Sequence, residues 1–176
     1  MLVRLEEVEI RLCYHYAQLL ETRAQKNGFA HKPAARAASV DPLMNHYRSN
    51  LVEFAVAKRF DIYPSMTYEG LGLPDVGGFI QVRATHYATG CMIIKPTDPR
   101  KYVYLLGIVQ DLTDRDALVR LSGWLRGHEL DERGEEKSLD NVVNRWIGQR
   151  ELRPMHEFEE RFNHRRQKLL SPHAEV

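Results

Sequence analysis

Apolar positions recur at three- and four-residue steps along the first part of the chain, a period typical of a helix with one buried face. The residues on this stripe are Leu5, Val8, Leu12, Tyr16 and Leu19. The pattern predicts an amphipathic helix over residues 2–27, with Gly28 as its stop signal. Residues 28–40 have no clean period, so the sequence leaves open whether they form a connector or a basic loop near a ligand.

A second helix has a stronger start signal. The Asp41 carboxylate is a good N-cap, and Pro42 suits the first helical position because it has no N–H that needs a partner. Apolar residues then recur at helical spacing as far as Phe60. The sequence therefore predicts a helix over residues 41–60.

The middle of the chain has the pattern of strands. Residues 79–85 alternate polar and apolar side chains, after a turn that Pro, Asp and Gly predict over residues 73–78. Two continuous apolar runs follow at 91–94 and 102–109, and such runs are typical of central strands buried on both faces. A further strand is predicted over 118–124.

The remaining segments are less regular. A short strand or loop is predicted over residues 64–72, a charged loop over 131–140 and a helical turn over 141–148. A charged terminal helix is predicted over 158–170.

This order of elements predicts an α/β fold in a single domain, with a mixed central sheet flanked by helices. A chain of 176 residues, 43% of them hydrophobic, has the size of one ordinary domain. We place the core at residues 41–125, a basic helix and loop at 1–40, and a helical extension at 141–170.

Composition and motifs argue against several classes of protein. The chain has no apolar run long enough to span a membrane. Acidic residues stand where a signal peptide has its basic region, and Cys13 and Cys91 form no metal-binding pair, so we expect a cytoplasmic protein with reduced, buried cysteines. Phosphate-binding glycine loops, Gly-x-Ser-x-Gly and HExxH are absent.

Charge is unevenly distributed, although the net charge is only +1. Residues 22–48 carry five Lys or Arg against one acid, and residues 161–168 are basic again. Residues 111–140 carry nine acids against five bases. Two basic flanks suit a phosphate backbone, although ordinary solvated helix faces explain each run as well.

Glu53 is the first candidate functional residue. Its neighbours at three and four residues along the predicted helix are Ser49, Asn50, Val56 and Ala57, so no cation stands ready to pair with it. A carboxylate among small and apolar neighbours is costly to bury unless a metal ion or hydrogen bonds meet it. The alternative is a half-exposed surface glutamate.

Further candidates come from the turn and strand that follow. Asp75 lies in the Pro-Asp-Val-Gly-Gly turn, where it is either a ligand or an ordinary turn residue. Strand alternation places Gln81, Arg83 and Thr85 on one face and apolar residues on the other. The side chains on this polar face either point together into one site or face solvent.

A helix glutamate, a Pro-Asp turn and a Gln-Val-Arg strand, in this order, resemble the core of the PD-(D/E)XK nuclease superfamily. The matching residues are Glu53, Pro74-Asp75 and Gln81-Val82-Arg83. The resemblance covers residues 45–110. Three places outside these motifs also resemble a group of small bacteriophage proteins that are regarded as nuclease-like. They are Asp98, residues 123–125 and residues 152–154.

The resemblance implies a restriction-endonuclease-like fold and a Mg²⁺-dependent enzyme, with Mn²⁺ as a substitute, that hydrolyses phosphodiester bonds in DNA. Glu53, Asp75 and Gln81 would hold the cation, since their oxygens suit a hard divalent ion. The cation would stabilise charge on the phosphate and lower the pKa of a bound water. Arg83 would be the phosphate-facing cation, and a phage-encoded enzyme would work in the host cytoplasm.

Two departures from the motif keep other functions open. Gln81 replaces an acid, and Arg83 replaces a lysine; arginine stays protonated and grips a phosphate with a planar fork. Lys95 is a candidate for the missing lysine. The alternatives are a catalytically silent module that binds nucleic acid or protein, and a phage inhibitor of a host enzyme whose acidic 111–140 segment mimics nucleic acid. RNA as substrate and a homodimer also stay open.

Overall fold

A computed structural model describes residues 1–26, 41–66, 73–139 and 142–170 of the chain. Its helices are α1 (Glu7–Lys26), α2 (Pro42–Phe60) and α3 (Met155–Leu170). Its strands are β1 (Leu2–Glu6), β2 (Ile80–Thr85), β3 (Met92–Ile94), β4 (Val103–Leu112), β5 (Asp116–Arg126), β6 (Glu135–Leu139) and β7 (Val142–Ile147). Short 3-10 segments occupy Gly127–Glu132 and Gln149–Glu151. The predictions for residues 28–40 and for most of 64–72 lie outside the described residues.

Four strands form the larger sheet, in the order β1-β5-β4-β2. β2 lies at one edge and is parallel to β4, whereas the other neighbouring strands are antiparallel. A second sheet, in the order β3-β7-β6, is antiparallel throughout. The chain is thus a single α/β domain with a mixed sheet, as the sequence predicts.

The first residues of the chain form a strand in which exposed and buried side chains alternate. Val3 and Leu5 point into the core from it. The predicted helix over residues 2–27 is therefore wrong at its start, and α1 begins only at Glu7. Pairing with β5, far along the chain, decides this outcome, and local periodicity does not reveal such a partner.

The face of α1 that packs on α2 differs from the one that the apolar period predicts. Val8, Leu12 and Leu19 are 76%, 48% and 62% exposed, whereas Cys13 and Ala17 are fully buried. Small side chains at a helix contact let the two axes come close. The two helices therefore meet along a seam of small residues.

α2 starts where the sequence predicts and lies directly on the larger sheet. Asp41 Oδ1 accepts a hydrogen bond from the N–H of Leu43 at 3.0 Å, and Pro42 opens the helix. Val52 meets Gly107 of β4, where an added Cβ would come within 2.1 Å of a Val52 methyl carbon. The glycine thus permits the close approach that positions α2.

Each face of the larger sheet has its own hydrophobic core. Leu51 and Val56 of α2 cluster with Leu105 of β4 on one face, and Phe158 of α3 joins them there. Tyr104 of β4 belongs to the second cluster, together with residues of β3 and β7. β4 is a central strand as predicted, because its successive side chains enter the two cores in turn.

The second sheet overturns several predictions. β3 is a three-residue edge strand rather than a central one. β6 occupies part of the predicted charged loop at 131–140, and β7 replaces the predicted helical turn at 141–148. The helical extension over 141–170 is therefore helical mainly from Met155 onwards. Pairing with each other stabilises β6, whose described side chains are exposed, and β7, whose burial does not alternate regularly.

Two expectations from composition concern cysteines and membranes. Both cysteines are free thiols; Cys13 is buried as expected, whereas Cys91 is partly exposed. No helix in the described parts of the chain is long and apolar enough to cross a membrane.

Candidate functional site

Asp75 is fixed in the turn that precedes β2. Its N–H donates to the carbonyl of Ile80 at 2.8 Å, and its Oδ2 accepts from the N–H of Val82 at 2.6 Å. Because β2 is an edge strand, the Val82 N–H has no neighbouring strand to bind on that side. Gly77 and Gly78, both with positive φ, let the chain turn back tightly enough to bring Asp75 there.

Glu53 lies on α2, at the border of the buried face of the helix, and is half-buried. Burial raises the pKa of Glu53 well above its usual range, and repulsion from the Asp75 carboxylate raises it further. Such repulsion requires the two carboxylates to lie close together. The Glu53 and Asp75 carboxylates therefore interact, and without a cation the pair favours holding a proton.

Other neighbouring groups also shift the pKa of Asp75. Its pKa is raised, in the first place by burial, while the Val82 N–H and the Arg83 guanidinium lower it and the Asp98 carboxylate raises it. Asp75 is therefore electrostatically coupled to Glu53 and also to Arg83 and Asp98.

Gln81 and Arg83 lie on the face of β2 that is turned away from α2. Val82 packs into the core shared with α2, whereas the Arg83 guanidinium lies over the ring of Tyr104, 5.2 Å from its centre. The Gln81 amide nitrogen donates to the carbonyl of Leu73, and Gln81 Oε1 is 3.4 Å from Arg83 Nη1. The alternation of β2 therefore places Gln81 with Arg83, as the sequence predicts.

The four predicted site residues thus form two pairs. Glu53 approaches Asp75 from α2, and Gln81 contacts Arg83 on the opposite face of β2. Asp75, at the edge of the strand, is the residue through which the two pairs interact. The amide oxygen of Gln81 is turned towards Arg83 rather than towards Glu53.

Arg83 is already engaged by the protein. Its Nη2 donates to Asp98 Oδ2 at 2.6 Å, its Nη1 to the carbonyl of Val82 at 3.1 Å, and its Nε to the carbonyl of Ile93 at 3.2 Å. The same Asp98 oxygen accepts from the N–H of Lys95 at 2.9 Å. The guanidinium therefore connects β2 to β3 and to the loop after β3, and a carboxylate balances its charge.

Two residues near the site were not predicted to take part. Burial and the Glu53 carboxylate raise the pKa of Tyr16, on α1, to about 12, so its hydroxyl stays protonated and can donate to a carboxylate. A tyrosine on an apolar stripe gives no sequence signal for this role. Asp98 was singled out only through the similarity to phage proteins, and its pairing with Arg83 depends on how β3 folds back.

The donor set at Glu53 and Asp75 fits Mg²⁺, which keeps several waters and binds through one or two protein carboxylates. Within the described residues, no group of three or more His, Cys, Asp or Glu side chains is arranged to hold a metal ion. Any cation here would therefore rely on two carboxylates, neutral oxygens and water. The 3.4 Å contact from Gln81 Oε1 to Arg83 is long for a hydrogen bond, so this amide oxygen is weakly held.

Comparisons with known proteins add no relative. No protein-family model matches the chain, and neither a curated protein nor a solved structure matches it. What the site can do is therefore argued from its own residues.

Proposed function

We propose that the chain is a Mg²⁺-dependent nuclease of restriction-endonuclease-like fold that hydrolyses phosphodiester bonds in DNA. The observation that carries this proposal is the pair Glu53 and Asp75, whose pKa values burial raises and whose charges repel each other. Two carboxylates in such surroundings cost stability as long as they stand alone. A bound divalent cation would attract both carboxylates and so offset that cost.

The chain's own residues would have distinct roles in this reaction. Glu53 and Asp75 would hold the cation, and the Gln81 amide oxygen would join them only if the side chain gave up its hydrogen bond to the Leu73 carbonyl and turned away from Arg83. When bound, Mg²⁺ or Mn²⁺ stabilises charge on the phosphate and acidifies a bound water. The Val82 N–H keeps the Asp75 carboxylate in one orientation.

The Arg83–Asp98 ion pair favours a second candidate function, a silent module that binds nucleic acid on the same fold. Arginine grips a phosphate with two parallel N–H groups, and most of the donors of Arg83 are in use within the protein. In an active enzyme, the exposed Lys95 beside Asp98 would then be the cation that meets the phosphate.

The acidic 111–140 segment gives little support to a nucleic-acid mimic. Arginines of neighbouring elements neutralise part of its charge. The pairs are Arg153–Glu129 at 2.5 Å, Arg145–Glu136 at 2.6 Å and Arg100–Asp131 at 2.8 Å. The segment also belongs to the two sheets and does not form a separate acidic lobe.

Asp75→Asn tests the proposed site. We expect it to lower Mg²⁺-dependent cleavage of plasmid DNA by roughly a hundredfold or more, since even changes around metal ligands cost 10–100-fold. Asparagine keeps an oxygen acceptor for the Val82 N–H, so the melting temperature without metal should change little. Asp61→Asn is a matched control, because Asp61 is exposed.

Undiminished cleavage by the Asp75→Asn protein would remove Asp75 from the reaction. If the unaltered protein binds DNA but does not cut it with either Mg²⁺ or Mn²⁺, the result would favour the binding module.

A further inference from the structure

A five-residue turn directly after β2 presents two aromatic rings to solvent. His86 and Tyr87 are both exposed, and Tyr87 is 62% exposed. Their ring centres are 4.0 Å apart and the planes differ by 36°, so the rings lie partly over one another. The two rings therefore partly cover each other, and we call these two exposed side chains the ring pair.

The turn that carries the ring pair is held by its own residues. The N–H of Tyr87 donates to Thr85 Oγ1 at 3.2 Å, and the N–H of Gly90 donates to the carbonyl of Tyr87 at 2.8 Å. A Cβ added at Gly90 would lie 2.5 Å from a methyl carbon of Thr85. Only glycine lets the turn close this tightly against the end of β2.

Side chains from distant parts of the chain hold the same turn from the other side. Gln149 Nε2 donates to the carbonyls of Ala88 and Gly90 at 2.9 and 3.0 Å. Arg120 Nη2 donates to the carbonyl of Ala88 at 2.9 Å, and its Nη1 donates to Gln149 Oε1 at 3.1 Å. An exposed turn fixed in this way presents its rings in one orientation, so a ligand would not have to order them.

The ring pair has a positively charged neighbour, because the Arg120 guanidinium donates to the carbonyl of Ala88, the residue after Tyr87. Burial and then the nearby Arg48 guanidinium lower the pKa of His86, so its imidazole is neutral at neutral pH and offers a flat face. His86 follows Arg83 by three residues, roughly 10 Å along an extended chain.

We propose that His86 and Tyr87, with the Arg120 guanidinium at the same turn, form a stacking site for an unpaired base of a single-stranded nucleic acid. Bases stack on aromatic side chains whatever their sequence, and arginine binds the backbone phosphate next to them. The choice of ligand rests on the proposed function. The ring pair directly follows β2, the strand that carries Gln81 and Arg83 of the candidate site. The neighbouring cation favours nucleic acid over an apolar protein surface.

The test measures binding of a fluorescein-labelled oligo-dT, roughly twelve nucleotides long, by fluorescence anisotropy in EDTA. Tyr87→Leu should weaken binding roughly 5- to 150-fold, the range for loss of one base–aromatic stack, whereas Tyr87→Phe should keep it. A duplex of equal length should lose much less, because its bases are not free to stack. Tyr63→Leu, at a tyrosine that is 91% exposed, is the matched control.

A second variant separates the orientation of the rings from their presence. Gln149→Ala removes two hydrogen bonds to the turn and leaves both rings in place. It should weaken binding of the oligo-dT, but by less than Tyr87→Leu does. Melting curves would show that the variant is folded.

Binding in EDTA keeps this inference separate from the nuclease proposal. Tyr87-dependent binding by a protein that cuts no DNA would support the stacking site and contradict the nuclease. If the protein cleaves DNA but Tyr87→Leu leaves its affinity for oligo-dT unchanged, the stacking site alone would be overturned. Equal losses in Tyr87→Leu and Tyr63→Leu would also overturn it. A third result would overturn it as well: the unaltered protein does not bind oligo-dT at low salt. That result would assign the rings to a protein partner.

Discussion

Glu53 and Asp75 repel each other inside the protein, and this repulsion has a predictable pH dependence. Burial and Asp75 raise the pKa of Glu53 in the folded chain. Over the pH range between the unfolded and folded pKa values, the folded chain holds a proton that the unfolded chain has lost. The stability that this proton provides is therefore present at low pH and is lost as the pH rises through the raised pKa.

Glu53→Gln should stabilise the metal-free protein at neutral and mildly alkaline pH, by about 1–3 kcal/mol, because it removes a poorly solvated charge. Near the ordinary carboxylate pKa of about 4, the two proteins should differ little. Urea unfolding in EDTA across this pH range measures the effect, with Glu6→Gln as an exposed control. Adding Mg²⁺ should reverse the order, since the ion stabilises only the protein with Glu53.

A Glu53→Gln protein that is less stable at every pH would contradict this account. It would mean that hydrogen bonds to the Glu53 carboxylate stabilise it more than burial and Asp75 destabilise it.

Arg83 should tolerate lysine poorly. Lysine can keep a charge near Asp98 but has a single nitrogen in place of the three that reach Asp98, Val82 and Ile93. We expect Arg83→Lys to lower the free energy of unfolding by about 1–2 kcal/mol and Arg83→Ala by about 3 kcal/mol. Denaturant unfolding of both, with Asp98→Asn and the double variant, gives the coupling energy of the pair.

Equal stability of the arginine and lysine proteins would show that the charge alone matters. In that case the hydrogen bonds to the two backbone carbonyls contribute little.

At the scale of the element, α2 carries Glu53 and depends on its cap. Asp41→Ala removes the acceptor for the N–H of Leu43 and should lower the free energy of unfolding by about 1 kcal/mol. Asp41→Asn keeps an acceptor and should be nearly neutral. Urea unfolding measures both, and equal losses in the two proteins would assign the effect to the charge instead of the hydrogen bond.

Local signals predicted the elements whose partners lie close in sequence or whose pattern is strong. The cap at Asp41 is confirmed, and so is the strand predicted over residues 79–85, which forms at Ile80–Thr85 although Gln81 is buried, as Ile80 and Val82 are. The helix seam on α1 was missed because Cys13 and Ala17, rather than the larger apolar residues, make the contact. β6 and β7 were missed because their pairing partners, not their side chains, define them as strands.

The candidate site was only partly predictable for a related reason. Alternation correctly put Gln81 and Arg83 on one face of β2, but no local pattern says on which side of the sheet α2 will pack. That choice separates Glu53 from Gln81 and makes Asp75 the residue whose charge interacts with groups on both sides. The engagement of Arg83 by Asp98 depends in the same way on the path of the chain after β3.

At the scale of the whole molecule, the net charge of +1 makes any affinity for DNA depend on local basic groups. Arg161 and Arg165 of α3 lie over the rings of Trp124 and Phe79, at 5.7 and 5.9 Å. DNA affinity should fall with salt, with a log–log slope of roughly −0.9 per phosphate contacted. The double variant Arg161→Glu and Arg165→Glu should flatten that slope, and titrations at several salt concentrations measure it.

An unchanged slope in the double variant would place the phosphate contacts elsewhere. Glu160→Arg, on the same helix, controls for a general change in the charge of α3.

The Asp75 turn has a consequence for how the molecule behaves among its own copies. An edge strand offers open N–H and C=O groups to which a second chain can add, and this is a route to aggregation. Here the carbonyl of Ile80 and the N–H of Val82 are both bound by the Asp75 segment. Substitutions at Asp75 are therefore limited by solubility as well as by chemistry. Under the proposed nuclease function, asparagine, which can still occupy the edge, is the substitution to choose for a protein that should bind nucleic acid without cutting it.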